Sequence, residues 1–204
     1  MFRPAVSLSR AFPFFRLPER LRSSLGLPSH LGPADTVRLG VEQLVKVLGP
    51  VRPTGAGPRP DDLHRVMSRL FDLPRMAQEV LGPHWSLRSL EEQVEFTRLF
   101  ETVLLRALAP RLQSGKRFVY SGPIPDGRLT RLRAGIVPAK GAPVVVEYRL
   151  RPIGPRWVVD DLVLDGRSIV DRYREQVQLA VEESSYEDVI WKLRVREIGA
   201  TSRL

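Results

Sequence analysis

Three aspartates near the end of a strand-like segment, Asp160, Asp161 and Asp165, are the residues of this 204-residue sequence whose type could supply a general base. A carboxylate inside a sheet cavity, with Tyr148 or Tyr173 beside it, suits the proton transfers of an isomerase or hydratase. Adjacent residues of a strand face opposite sides, so Asp160 and Asp161 cannot act as a carboxylate pair. The simpler interpretation is that one of them faces solvent or bonds the start of a neighbouring helix. A small cavity enzyme that uses Asp161 stays an alternative.

Other kinds of catalytic or metal site find little support in the sequence. The histidines, His30, His64 and His84, show neither an i, i+4 spacing nor another ligand-like spacing. The absence of cysteine excludes disulfides, thiolate zinc sites, iron–sulfur clusters and a cysteine nucleophile. The sequence also lacks the GxSxG, GxxxxGKS/T, HExxH and dinucleotide-binding motifs. We expect a protein without a catalytic centre, a metal or a cofactor.

The charge balance permits an anionic partner without selecting one. Lysine and arginine together number 32 against 23 acidic residues, which gives a formal net charge of +9. Of the basic residues, 28 are arginine and 4 are lysine, and the sequence contains no asparagine. This bias is typical of a genome rich in arginine codons, so the charge by itself does not indicate a charged ligand.

A basic segment, Lys116–Arg156, raises the alternative of a nucleic-acid-binding module. It contains nine basic and two acidic residues, together with the aromatic residues Phe118 and Tyr120. Binding of single-stranded nucleic acid would need aromatics and arginines on one face of a sheet. Tyr148 instead alternates with Arg149, so the arginines are expected on the solvent side of a half-buried sheet. No nucleic acid partner is predicted.

The N-terminal residues differ in composition from the rest of the chain. The longest window without a charged residue has 12 residues, Ser23–Ala34, whereas a membrane span needs about 20 apolar residues. A secretory signal is not readable in Met1–Leu17, which three arginines and two prolines interrupt. We expect a soluble protein with a basic, proline-rich, poorly ordered head at residues 1–33, a domain at 34–198 and a tail at 199–204.

Local signals predict helices in the first half of the domain. The first helix is expected from Asp35, as N-cap, to Leu48, where Gly49 and Pro50 end it. After a linker at 51–60, helical periodicity continues for about fifty residues.

The longest helix is expected to begin at Ser89, because Ser89 and Glu92 have the spacing of a capping box. Apolar residues between Phe96 and Leu108 recur at steps of three and four, which places them on one face. Pro110 and Gly115 are expected to end this helix.

The period of the apolar residues then changes from helical to two. Strands are predicted at Lys116–Gly122, Arg128–Val137, Val144–Arg151 and Arg156–Asp165. Two shorter helices follow, and each begins with capping-box spacing, Ser168 with Asp171 and Ser185 with Asp188. This order predicts an α+β fold: a curved four-stranded, antiparallel-rich sheet wrapped by about six or seven helices.

Large apolar side chains are expected to converge between the concave face of this sheet and its helices. Such a set is usually a packed core, but a curved sheet can also enclose a cavity for an apolar ligand. The pattern alone leaves both interpretations open. The candidate lining residues are Phe96, Phe100, Val103, Leu104, Ile136, Val144, Val146, Tyr148, Leu150, Trp157, Val159, Tyr173 and Val177.

Two long sequence blocks carry a family resemblance. FDLPRMAQEVLGPHW at Phe71–Trp85, followed by EEQVEFTRLFETVLLRAL at Glu91–Leu108, forms the first block. YRLRPIGPRWVVDDLVLDGRSIVDRYREQV at Tyr148–Val177 forms the second. In order and spacing both blocks resemble the MlaC (toluene-tolerance) family of phospholipid-binding proteins, and the resemblance covers about Asp35–Arg196.

The resemblance implies a soluble periplasmic carrier without enzymatic activity. Its apolar cavity would hold phospholipid acyl chains and leave the headgroup near the mouth. Its partners would be an inner-membrane ABC transporter complex and an outer-membrane lipoprotein complex, between which lipid is exchanged to keep the outer membrane asymmetric. This is the leading hypothesis, and the cavity enzyme and the nucleic-acid-binding module are the alternatives.

Overall fold

Thirteen elements follow one another in the computed structural model, which describes residues 31–49 and 58–201, with side chains up to residue 195. Parts of three expected segments lie outside the described residues: 1–30 of the head, 51–57 of the linker and 202–204 of the tail. The helices are α1 (Pro33–Leu48), α2 (Pro60–Leu70), α3 (Leu73–Leu81), a 3-10 helix (Gly82–Leu87), α4 (Leu90–Ser114), α5 (Ile169–Glu183) and α6 (Tyr186–Thr201). The strands are β1 (Gly115–Tyr120), β2 (Ile124–Asp126), β3 (Leu129–Pro138), β4 (Val144–Ile153), β5 (Arg156–Leu164) and β6 (Arg167–Ser168).

The strands form one curved sheet in the order β1-β3-β4-β5-β6, with β2 also paired to β3. Every pairing between these strands is antiparallel, and irregular register in the β1–β3 and β4–β5 pairs supplies places where a sheet bends. The predicted α+β class is confirmed. The predicted count of four strands is wrong, because the described residues contain six.

The two additional strands, β2 and β6, are short and depend on tight turns. Gly127 adopts a φ of 61° where β2 turns back onto β3. Asp165 and Gly166, with φ of 53° and 76°, turn β5 back onto β6. A turn with one or two residues at positive φ matches the twist of an antiparallel hairpin, so the chain pairs with itself for two or three further residues.

The start of α1 differs from the expectation that Asp35 is its N-cap. Gly32 is the N-cap, Pro33 opens the helix, and Asp35 lies in the first turn, where it pairs with Arg38 at 2.7 Å. Proline is favoured at this position because the first helical N–H has no intrahelical partner to lose. The expected end is confirmed, since Gly49 follows the last residue with a φ of 63°.

The start of α4 is confirmed, and one of its two expected end signals is wrong. The Glu92 N–H donates to Ser89 Oγ at 3.3 Å and the Ser89 N–H donates to Glu92 Oε2 at 2.7 Å, which is a capping box. Pro110 lies inside the helix, which ends at Gly115. Burial of Leu108 and Leu112 on either side of Pro110 offsets the missing hydrogen bond. Within residues 31–49 and 58–201, no helix is both long and apolar enough to cross a membrane.

The core lies between one face of the sheet, called the inner face here, and the helices. α1 and α4 contact β3, while α1, α2, α3 and α5 contact β5. On the inner face Leu132, Tyr148 and Leu162 stand side by side on β3, β4 and β5, and all three are buried. The next row holds Ala134 and Val146. This layer therefore contains the central residues of the predicted converging set.

Candidate functional site

The structure places most of the thirteen predicted lining residues in one contiguous apolar core. Val144, Trp157 and Tyr173 are half-buried and pack against that core, whereas Val103 is half-buried and does not belong to it. That these residues line a lipid cavity stays a prediction. The other nine are buried members of the core: Phe96, Phe100, Leu104, Ile136, Val146, Tyr148, Leu150, Val159 and Val177.

Several members of the same layer are missing from the predicted set. Leu132 and Ala134 on β3 are buried beside Tyr148 and Val146. The period of two through Leu132, Ala134 and Ile136 is the sequence signal that identifies them. Helix α1 also covers this layer with four buried residues at helical spacing: Val37, Val41, Leu44 and Leu48.

Aromatic residues occupy the centre of the inner face and the contact between its helices. Tyr148 is 1% exposed, and burial raises the pKa of its hydroxyl far above the ordinary value, so the side chain is neutral at any physiological pH. Phe100 of α4 meets Tyr173 of α5 edge to face, with ring centroids 6.2 Å apart. Tyr148 and Phe100 are buried in the apolar core, which favours contact with an apolar ligand, whereas the guanidinium carbon of Arg172 lies 5.2 Å from the ring centroid of Tyr173.

Tyr120, the last residue of β1, introduces a polar group at the edge of this apolar layer. The residue lies beside Ala134 on the inner face and packs against the core. Its hydroxyl oxygen is buried and has no hydrogen-bond partner among the described residues. Burial raises the pKa of Tyr120 to about 12. The negative charge of Glu42 also raises this pKa, and the positive charge of Arg38 lowers it.

Asp161 does not pair with Tyr148, one of the two tyrosines that the enzyme alternative places beside it. The N–H groups of Leu162 and Val170 donate to its Oδ1 at 2.8 and 3.2 Å, and Arg149 Nη1 lies 3.2 Å from its Oδ2. Asp161 stands opposite Arg149, whereas Tyr148 stands opposite Leu162, so Tyr148 and Asp161 lie on opposite faces of the sheet. The carboxylate therefore orders the first turn of α5, as expected for an aspartate that bonds a helix start.

Burial also changes the proton affinity of this carboxyl. It raises the pKa of Asp161 above the ordinary 3.8, while the hydrogen bonds from Ser168, Val170 and Leu162 and the charge of Arg149 act in the opposite direction.

Four arginines of the outer face of the sheet are paired with carboxylates. Arg131 pairs with Asp126 at 3.2 Å and Arg133 with Glu147 at 3.0 Å. Arg149 pairs with Asp161, and Arg151 with Asp160 at 3.0 Å and with Asp72. Phe118 and Tyr120 pack against the core on the other face. The arrangement needed for single-stranded nucleic acid, with aromatics and free arginines on one face, is not formed here.

An open groove runs along the exposed side of α4. Arg194 of α6 borders it and donates from Nε to Glu95 Oε1 at 2.7 Å. The groove lies outside the core, and it is lined by Leu90, Glu91, Val94, Glu95, Arg98, Leu99 and Arg194.

Comparison with known proteins gives a family and a similar fold. A model of the family described as MlaC protein matches residues 43–195. Among solved structures, the phospholipid-binding protein from Ralstonia solanacearum, determined in complex with a phospholipid, is similar with a TM-score of 0.64 and 19% sequence identity. The similarity covers 83% of this chain and 98% of that chain, and at this identity it shows the fold. No curated protein sequence matches the chain.

The matched residues contain the structural features described above. They run from α1 through all six strands to α6, so they include the inner face of the sheet and the helices α4 and α5 that cover it. The matched segment is well over half of the chain, and it contains both sequence blocks on which the resemblance was based. The chain belongs to the MlaC protein family.

Proposed function

We propose that this protein is a non-enzymatic carrier that binds phospholipid by its acyl chains between the inner face of the sheet and helices α1, α4 and α5. The observation that carries the proposal is the continuous apolar layer formed by β3, β4, β5 and these helices. The fold around this layer is similar to that of a protein solved with a phospholipid bound.

The apolar character of the layer suits the physical requirement of lipid transport. Each CH₂ group removed from water contributes about 0.8 kcal/mol, so a carrier must enclose whole chains and not only their ends. The inner face supplies an apolar wall for this purpose, since Val146, Leu150 and Val159 are each 0% exposed. No bond is made or broken in such a step, and the carboxylate of Asp161 is occupied by structural hydrogen bonds.

The site of action forms the second part of the proposal, and membership of the MlaC protein family supports it. We infer that the protein works in the periplasm and exchanges lipid with an inner-membrane ABC transporter complex and an outer-membrane lipoprotein complex. A transfer assay between vesicles that hold each complex tests this inference. Labelled phospholipid is expected to pass from one vesicle population to the other only when the protein is present, and transfer at the protein-free rate would contradict it.

Native mass spectrometry of the purified full chain tests lipid binding directly. A mass increment equal to a two-chain phospholipid is expected, and extraction with organic solvent should release that lipid. A protein that carries no lipid and takes up none from phospholipid vesicles would overturn the proposal.

A pair of adjacent substitutions tests where the lipid binds. Val146→Arg and the milder Val144→Arg place a charge on the inner face and are expected to abolish lipid loading. Val145→Arg is the matched control, because Val145 lies between them on the other face and is 55% exposed. Circular dichroism identifies which variants are folded. Equal lipid content in folded Val144→Arg and Val145→Arg proteins would contradict binding at the inner face.

A further inference from the structure

The hydroxyl group of Tyr120 is a buried hydrogen-bond donor that no described residue of the chain accepts from. A buried hydroxyl without a partner is unfavourable, and native proteins rarely keep one unless water or a ligand supplies the missing partner. The Tyr120 hydroxyl has no partner among the described residues, although the ring itself packs against the core.

The surroundings of Tyr120 place this hydroxyl between the apolar layer and the surface. Its neighbours in the same row of the inner face are the apolar residues Ala134 and Val146, and its hydroxyl also acts electrostatically on that of Tyr148. Among the described strands β1 lies at an edge of the sheet, so no described strand pairs with the side of β1 away from Ala134. Toward solvent lie exposed charged residues of α1, since Arg38 and Glu42 both act electrostatically on the hydroxyl.

We propose that Tyr120 is a binding residue for the polar part of the lipid, and that its hydroxyl donates a hydrogen bond to an ester carbonyl of the glycerol backbone at an opening between β1 and α1. The inference rests on the proposed function and adds to it the place where the lipid leaves the apolar layer. A phospholipid has its ester carbonyls where the chains meet the headgroup, which is the boundary that Tyr120 occupies.

The chemistry at this position favours a carbonyl over a phosphate. The Tyr120 hydroxyl is protonated at neutral pH and supplies a neutral donor in a buried place, which suits a neutral acceptor. A buried phosphate would need a desolvated cation beside it. The nearby cation, Arg38, is 54% exposed and pairs with Asp35 at 2.7 Å.

A competition between two lipids tests the proposal. The purified full chain is exchanged against an equimolar mixture of ester-linked and ether-linked phosphatidylglycerol with the same chains, and the bound ratio is measured by native mass spectrometry. The ether lipid lacks the carbonyl acceptor. Wild-type protein is expected to prefer the ester lipid by about two- to tenfold, which corresponds to one neutral hydrogen bond.

Tyr120→Phe is expected to bring this ratio close to one, because the ring remains and only the donor is lost. The matched control is Tyr186→Phe. The Tyr186 hydroxyl donates to the backbone carbonyl of Glu92 in the first turn of α4, at a distance of 3.3 Å, and so already has a partner. That variant should keep the wild-type ratio. A Tyr120→Phe protein with the wild-type ratio would overturn the subsite while leaving the proposed function intact. A wild-type protein that binds neither lipid would overturn both.

Discussion

Phe100 of α4 and Tyr173 of α5 meet edge to face, with ring planes at 84° and ring centroids 6.2 Å apart. In the sequence α4 precedes the six strands and α5 follows them, so this pair of rings joins the helical segment before the sheet to the one after it. Aromatic pairs in this geometry are stabilised beyond their buried area.

Phe100→Ala tests this contact. Phe100 is 2% exposed, so the substitution is expected to lower the free energy of unfolding by about 3–5 kcal/mol in urea titrations. Tyr173→Phe keeps the ring and should change the value by about 0.5 kcal/mol or less. A loss in Phe100→Ala no larger than in Tyr173→Phe would show that the ring contact does not join the helices.

Asp161 provides a test of a structural carboxylate. Asp161→Ala leaves the N–H groups of Leu162 and Val170 without their acceptor and is expected to cost about 1–3 kcal/mol of unfolding free energy. Asp161→Asn retains an oxygen at the Oδ1 position and should recover a large part of that loss. Equal unfolding midpoints for the two variants would contradict a role through these backbone bonds.

Arg151 joins two carboxylates, Asp72 at the start of α3 and Asp160 on β5. The side chains of Asp72 and Asp160 are 15% and 12% exposed, so water solvates both carboxylates poorly. Arg151→Met removes the guanidinium that pairs with both of them. We expect a loss of about 1–3 kcal/mol in chemical denaturation. Arg156→Met, at an exposed position on β5, is the control and should stay within about 0.5 kcal/mol of wild type. A similar small effect in both variants would contradict the joining role.

Tyr120 predicts a dependence of stability on alkaline pH. Burial raises the pKa of Tyr120 to about 12, from an ordinary 10.0. Between these values the unfolded chain loses the phenol proton and the folded chain keeps it, so the unfolded state binds fewer protons and stability falls as pH rises. Tyr120→Phe removes this contribution.

Urea unfolding of both proteins at pH 8, 10 and 11 measures the effect. The variant is expected to gain stability relative to wild type as the pH rises above about 10. A difference that does not change with pH would show that the hydroxyl is solvated in the folded state.

Local residues determined much of the secondary structure. Ser89, Ser168 and Ser185 each accept from the N–H three residues ahead, as their capping-box spacing predicts. The alternation along β4 also predicts its faces, with Val146 buried and Val145 exposed. These features depend on neighbours a few residues away, so a single sequence contains the information.

Features that depend on distant partners were predicted less well. Pro110 continues a helix because the leucines on either side of it are buried by elements that the sequence does not place beside it. Glu147 alternates with the buried Val146 and Tyr148 on β4 and yet is only 9% exposed, because Arg133 and Arg149 pair with it.

Sequence patterns alone were sufficient for the α+β class, the three serine N-caps, the four long strands and, through the two long blocks, the family. Tertiary structure decided which of the apolar stripes meet, that Asp161 serves the start of α5, and that the Tyr120 hydroxyl has no partner within the described chain. The physical reason is the separation along the chain of the residues that interact. Helix caps and strand alternation arise from neighbours along the chain, whereas burial and the pairing of polar groups depend on residues that only folding brings together.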